Sequence, residues 1–223
     1  MKKNILVIIA ALFIFGCTYA FLYFRVGNTA GFVTSYRDLG VKWTQSEKNV
    51  YAPGANSNPV RQNLNATLVG VLDESVPEKD RFALAIAGAD PLAELRAEID
   101  VMRANREQLE QNVTTLREQS LKVEGIRIRQ KAGEVVLLSE KRNVMIREIE
   151  EVSYRMNDTV KEIFQGIAKD NGALTDNRKQ ALNDQIPQAE KDYERLNELY
   201  RNLTESKTEM KKAYREFEGL AGK

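Results

Sequence analysis

The chain has 223 residues, and its 33 Lys plus Arg nearly balance its 32 Asp plus Glu, a balance that holds along its length. That argues against a nucleic-acid binder with charge concentrated on one face, and against an acidic tail. It holds no histidine and one cysteine, Cys17, so the commonest general base, Ser/His and Cys/His nucleophile pairs, an intrachain disulfide and a thiolate zinc site are all excluded.

Positions Ile5 to Phe24 carry no charge. At about 1.5 Å rise per residue such a run spans roughly 30 Å, the thickness of a hydrocarbon core. Lys2 and Lys3 precede it, so the positive-inside rule assigns residues 1–4 to the cytoplasm, residues 5–24 to a transmembrane anchor and the rest to the periplasmic or extracellular side. Two alternatives stay open. One is a lipoprotein signal ending at Cys17 after Gly16, with lipidation of that cysteine; the other is an ordinary cleaved signal peptide, to which the apolar continuation through Phe24 is poorly suited.

Residues 25–90 read as a membrane-proximal region of short helices. Phe32, Val33, Tyr36, Leu39, Gly40 and Trp43 fall at helical spacing. They suit an outward continuation of the anchor, a helix lying along the headgroups, or a helix packed on its own protein. Tyr51 to Pro59 is a loop by composition. Leu64, Leu68, Val71 and Leu72 suggest a short helix, and Ser75 with Glu78 matches a capping box opening another that ends near Gly88.

Asp90-Pro91 signals the start of a long helix, 91–170, with apolar residues three and four apart. Leu92, Leu95, Ile99, Met102, Leu109, Val113 and Leu116 occupy one heptad frame; Val135, Leu138, Ile149, Val152 and Met156 occupy a second, with a one-residue slip between Gly125 and Gly133. Asn171-Gly172 favours a turn over 171–176, with Thr175 or Asp176 capping a returning helix, 177–220. That helix carries Tyr193, Leu196, Tyr200, Leu203, Tyr214 and Phe217 on its apolar stripe, and Pro187 predicts a kink or a delayed start of the regular helix. The predicted fold class is therefore all-α: a single transmembrane helix, short helices, and a long antiparallel coiled-coil hairpin.

Folding about residue 173 sets position 218 beside 128, so the returning helix ends where the register slips. The stripe from Leu92 to Leu116 is then left without a helix to cover it. Each fully buried Leu or Ile is worth about 1.5–3 kcal/mol, so the stripe is expected to be an oligomer or partner interface, unless residues 60–88 fold back onto it. The bulk of Tyr193, Tyr200, Tyr214 and Phe217 points to something wider than a two-stranded coil.

Four Asn-x-Thr sequons, at Asn65, Asn112, Asn157 and Asn202, fit coincidence better than use, since most lie beside core positions. Lys122, Arg127, Arg129 and Lys131, with Glu124 among them, form the densest basic stretch. Carboxylate pairs such as Glu150/Glu151 read as exposed helix charge. No phosphate loop, metal spacing or cofactor motif is present, and no catalytic residue is assigned.

The layout of anchor plus helical stalk is similar to that of membrane-fusion adaptors, polysaccharide chain-length regulators and phage spanins. It lacks the strand-rich domains of the first and the second membrane helix of the next, and spanins are usually shorter. The expected function is a structural or assembly subunit of a cell-envelope complex, with the bilayer and either further copies or other envelope proteins as partners. A sensing or regulatory accessory is the alternative, and a cell-wall-active enzyme a remote one.

Overall fold

The computed structural model describes residues 15–20, 29–49 and 59–222. They are all-helical. Beyond a short helical stretch at 15–20, the elements are α1 (Ala30–Asn49), α2 (Pro59–Leu72), α3 (Glu78–Ala87), α4 (Ala89–Lys122), α5 (Ile126–Lys169) and α6 (Asp176–Ala221). Among the described residues no helix is long and apolar enough to cross a membrane. Residues 5–14 and 21–24 of the expected anchor lie outside the described residues, as does the expected loop up to position 58.

The predicted continuous helix over 91–170 is instead two. It breaks at 123–125, where Gly125 takes φ 85°, a left-handed conformation open to glycine without strain. The heptad slip near Gly125 marks a chain reversal. The second reversal closes α5 with a Schellman motif. Asn171 sits at φ 53°, Gly172 N–H donates to the Ile167 carbonyl at 2.8 Å, and Asn171 N–H donates to Ala168 at 3.1 Å. Thr175 then caps α6, its hydroxyl accepting from Arg178 N–H at 3.2 Å. α6 continues through Pro187.

The chain divides into two compact units, each drawing segments from α4, α5 and α6. The first combines α1 up to Trp43 with residues 108–122, 126–143 and 205–221. Its contacts give the helix directions. Gly31 abuts Gln119 while Lys42 donates to Gln108, so α1 runs antiparallel to α4. Phe32 meets Phe217 and Tyr36 meets Tyr214, so it also runs antiparallel to α6. Arg117 pairs with Glu140, and Lys131 with Glu216 where Ser139 faces Met210, which orients α5 against both α4 and α6. Four helices alternate in direction around a core of Phe32, Leu39, Leu109, Leu116, Val135 and Phe217.

The second unit combines α2 and α3 with residues 89–107, 144–169 and 176–204. Its core gathers Leu64, Val71, Ala85, Leu92, Val160, Ile163, Phe164, Ile167 and Leu182. The expected Ser75–Glu78 capping box does not form. Ser75 instead gives its backbone N–H and its hydroxyl to the Asp73 carboxylate, at 2.8 and 2.7 Å, and α3 begins after Pro77 with no side-chain cap. An Asx-type turn competes for the same serine because its acceptor is only two residues away.

Candidate functional site

The expected oligomer seam is covered by the chain itself. Leu92, Ile99, Met102, Leu109, Val113 and Leu116 are buried and Leu95 is half-buried. In the first unit α1 supplies the cover that the sequence reading lacked. Phe32, Leu39 and Trp43 turn inward, so the helix packs on its own protein. In the second unit α2 and α3 fold back onto Leu92 and Leu95. The chain thus buries this apolar stripe itself, without a second copy.

Most of the residues expected in the hairpin core are inside: Val135, Ile149, Val152, Leu196, Leu203, Tyr214 and Phe217 are buried, and Leu138, Met156 and Tyr200 are partly so. Tyr193 is the exception, 50% exposed, and its neighbour Asp192 is buried instead. Asp192 accepts from Arg155 across α5 and α6 at 2.9 Å. Cys17 is exposed. Among the sequons, Asn157 is buried with its amide donating to the Leu92 carbonyl at 3.0 Å, which leaves no room for a glycan.

What apolar periodicity missed is a polar seam between α4 and α5 in the second unit. Glu150, read from sequence as exposed helix charge, is only 3% exposed. Its two carboxylate oxygens accept from Arg103 Nε at 2.6 Å and Arg106 Nε at 2.7 Å. One turn further, the guanidinium carbons of Arg96 and Arg103 lie 4.0 and 4.3 Å from the centre of the Tyr154 ring. The Tyr154 hydroxyl donates to Asp100, and burial, followed by that hydrogen bond, pushes its pKa up to about 12. Arg96 closes the series on Asp158 at 2.9 Å. Positions 96, 100, 103 and 106 share one face of α4, and 150, 154 and 158 share one face of α5. This spacing is visible in the sequence, but only once the two helices are known to be neighbours.

The outer edge of this seam forms the wall of a groove of about 550 Å³. It is lined by Ala85, Ala89, Ala93 and Ala97, one per helical turn across α3 and α4, with Ile86, Leu92 and Phe164 beside them. Arg96 and Lys161 line it with positive charge, Asp100 and Asp158 with negative. Exposed Phe82, Ile86 and Val101 extend the apolar character along the same two helices. Among the described residues no cluster of three or more acidic or cysteine side chains is placed to hold a metal ion.

A single side chain ties the second unit's loops together. Buried Arg81 donates to the carbonyls of Gly172 at 2.8 Å and of Asp73 and Glu74 at 3.3 Å, pinning the α5–α6 turn to the α2–α3 loop. Lys179 adds an ion pair to Glu74 at 2.8 Å. The groove combines apolar area with paired charge of both signs. Comparison with family models, with curated proteins and with solved structures finds no match for the chain.

Proposed function

We propose that the chain is a structural or assembly subunit of a cell-envelope complex, held in the bilayer by residues 5–24 and presenting its helices, including the α5–α6 coiled-coil hairpin, on the periplasmic or extracellular side. The observation that carries this reading is the pairing of an uncharged run from Ile5 to Phe24 with a helical chain that leaves an alanine-lined groove open. A sequence without histidine favours binding over catalysis. The groove suits an amphipathic helix of a partner protein. Small residues at every turn let a second helix approach closely, and charge of both signs along the walls matches a partner helix bearing both signs rather than a polyanion. Its occupant replaces the buried Leu92–Leu116 seam as the expected contact.

The test is site-specific crosslinking in native membranes from a photoreactive residue at Ala93. Crosslinks to one partner in stoichiometric yield, abolished by Ala97→Arg with helicity unchanged, are the expected result. A solubilised particle containing only one copy of this chain, with no crosslink at Ala93, overturns the reading. Crosslinks solely to further copies move the interface to a homo-oligomer.

A further inference from the structure

The start of α1 and the α4–α5 turn lie at the same end of the first unit. Gly31 abuts Gln119, and Phe32 packs on Phe217 at 4.7 Å between ring centroids. From Phe24, where the apolar run ends, to Ala30, where α1 begins, is six Cα–Cα steps. Fully extended, these reach about 21 Å. A chain leaving a bilayer at Phe24 therefore keeps this end of the unit within about two nanometres of the membrane surface.

The residues displayed there suit such a neighbour. Leu121 is 69% exposed, beside exposed Lys122. Arg127 and Arg129 are exposed on the first turn of α5, and Arg129 is oriented by its Nε, which donates to the Val123 carbonyl at 2.8 Å. Lys131, the fourth basic residue of the stretch, is already engaged by Glu134 and Glu216. A protruding leucine alone is ordinary surface, and so are three basic residues. Together, on the end of the bundle that the tether keeps near the bilayer, they match the two layers a membrane presents: apolar chains beneath anionic headgroups.

We infer that the α4–α5 turn is a membrane-contact surface, in which Leu121 enters the headgroup layer while Lys122, Arg127 and Arg129 bind anionic lipid headgroups. The inference rests on the anchor reading above. Contact here adds a second attachment to the single anchor, so that the first unit stands at a set orientation against the membrane.

The experiment uses the full chain, Cys17→Ser, reconstituted into phosphatidylcholine vesicles with or without phosphatidylglycerol. An environment-sensitive fluorophore is placed at Leu121→Cys or, as a control in the same unit, at Leu137→Cys, which replaces another exposed leucine. Anionic vesicles are expected to blue-shift the probe at 121 and shield it from aqueous iodide, leaving the probe at 137 unchanged. Neutralising Lys122, Arg127 and Arg129 together to Gln is expected to lower the docked-to-undocked ratio about a hundredfold, at roughly fivefold per basic residue. Alkaline extraction of the same vesicles separates the two readings. A chain retained at high pH with position 121 fully accessible to iodide overturns this inference alone, whereas a chain released at high pH overturns the anchor and this inference together. Equal shielding in zwitterionic and anionic vesicles overturns the assignment of the basic residues.

Discussion

Tyr36 of α1 and Tyr214 of α6 stack nearly parallel, with ring centroids 3.6 Å apart and planes 8° from one another. With Phe32 against Phe217 a turn away, the stack forms the clasp that closes α1 onto the other three helices of the first unit. Arg142 adds to the same interface. Fully buried, it donates to Ser206 Oγ at 3.1 Å and lies 5.1 Å above the Trp43 ring. Tyr36→Ala is expected to destabilise the unit by about 2 kcal/mol, less than the usual cost of truncating a fully buried aromatic residue, because Tyr36 is half-buried. Tyr36→Phe is expected to cost much less, because the ring remains. Urea unfolding followed by near-ultraviolet circular dichroism measures both, and an unchanged midpoint for Tyr36→Ala would show that α1 is not docked.

The same stack sets an alkaline limit. Burial pushes Tyr36 up to about 12, and burial with the nearby Glu218 carboxylate does the same for Tyr214. Tyr154 reaches about 12 by burial and its bond to Asp100. A phenol whose folded pKa lies above its unfolded value of 10.0 binds more protons when folded. Its contribution to stability is therefore complete below pH 10 and is lost as pH rises toward 12. Absorbance at the tyrosinate band should show at least three of the eight tyrosines ionising late, with loss of helicity following them.

Gly172 marks a position where a side chain has nowhere to go. Its φ is 83°, and an added Cβ would collide with the Glu78 carbonyl oxygen. Gly172→Ala is expected to lower the unfolding midpoint sharply, since both the backbone and the contact object. Arg81→Met keeps most of the stem's packing but abandons three carbonyls, two of them on the α2–α3 loop. A loss of about 2–3 kcal/mol is expected, from a charge-assisted bond removed and buried acceptors left unmatched. Equal stability of both variants with wild type would refute the clamp.

Glu150 tests whether the polar seam stabilises or merely specifies. Glu150→Ala leaves Arg106 beside an empty acceptor, and about 3 kcal/mol of destabilisation is expected. Replacing Glu150 with Leu and Arg106 with Met together should recover most of that loss, because the desolvation of both charges disappears. If the pair also shifts the register of α4 against α5, the Arg96–Asp158 contact will be lost, which spin-label distances across those helices would report.

Acid should loosen the α2–α3 loop. Hydrogen bonds from Ser75 hold the Asp73 carboxyl below its usual range, and Lys179 does the same for Glu74. Depressed carboxylates stabilise the fold above their unfolded values, 3.8 and 4.5, and that stability is lost as pH falls through the folded values. Amide exchange at residues 73–76 should therefore stay constant from pH 7 to 5, after correction for intrinsic rates, and accelerate below about 4.

Much of the helical architecture is local, and for that reason legible. Apolar residues three and four apart announce helices, Asn171-Gly172 announces a reversal, and Thr175 stands where a cap is needed. Ser75 shows how far local rules reach, because the capping-box spelling is present and a nearer acceptor, Asp73, takes the hydroxyl. The reversal at Gly125 was visible only as a slipped heptad, since one glycine within a strongly periodic stretch is as compatible with a continuous helix as with a turn.

From the amino-acid order alone came the helical class, the uncharged run at positions 5–24, and the identity of the faces that must be hidden. What hides them was settled only in three dimensions. An apolar stripe states that it will be buried and carries no address for the surface that buries it. Leu109 and Leu116 found α1, and Leu92 found α2 and α3, because those helices lie close once the chain reverses at 123–125 and 170–175. The buried Glu150, Arg142 and Asp192 could be recognised only there as well. A charge enters a core when a partner more than thirty positions away meets it, and helical periodicity records neighbours only three or four positions apart.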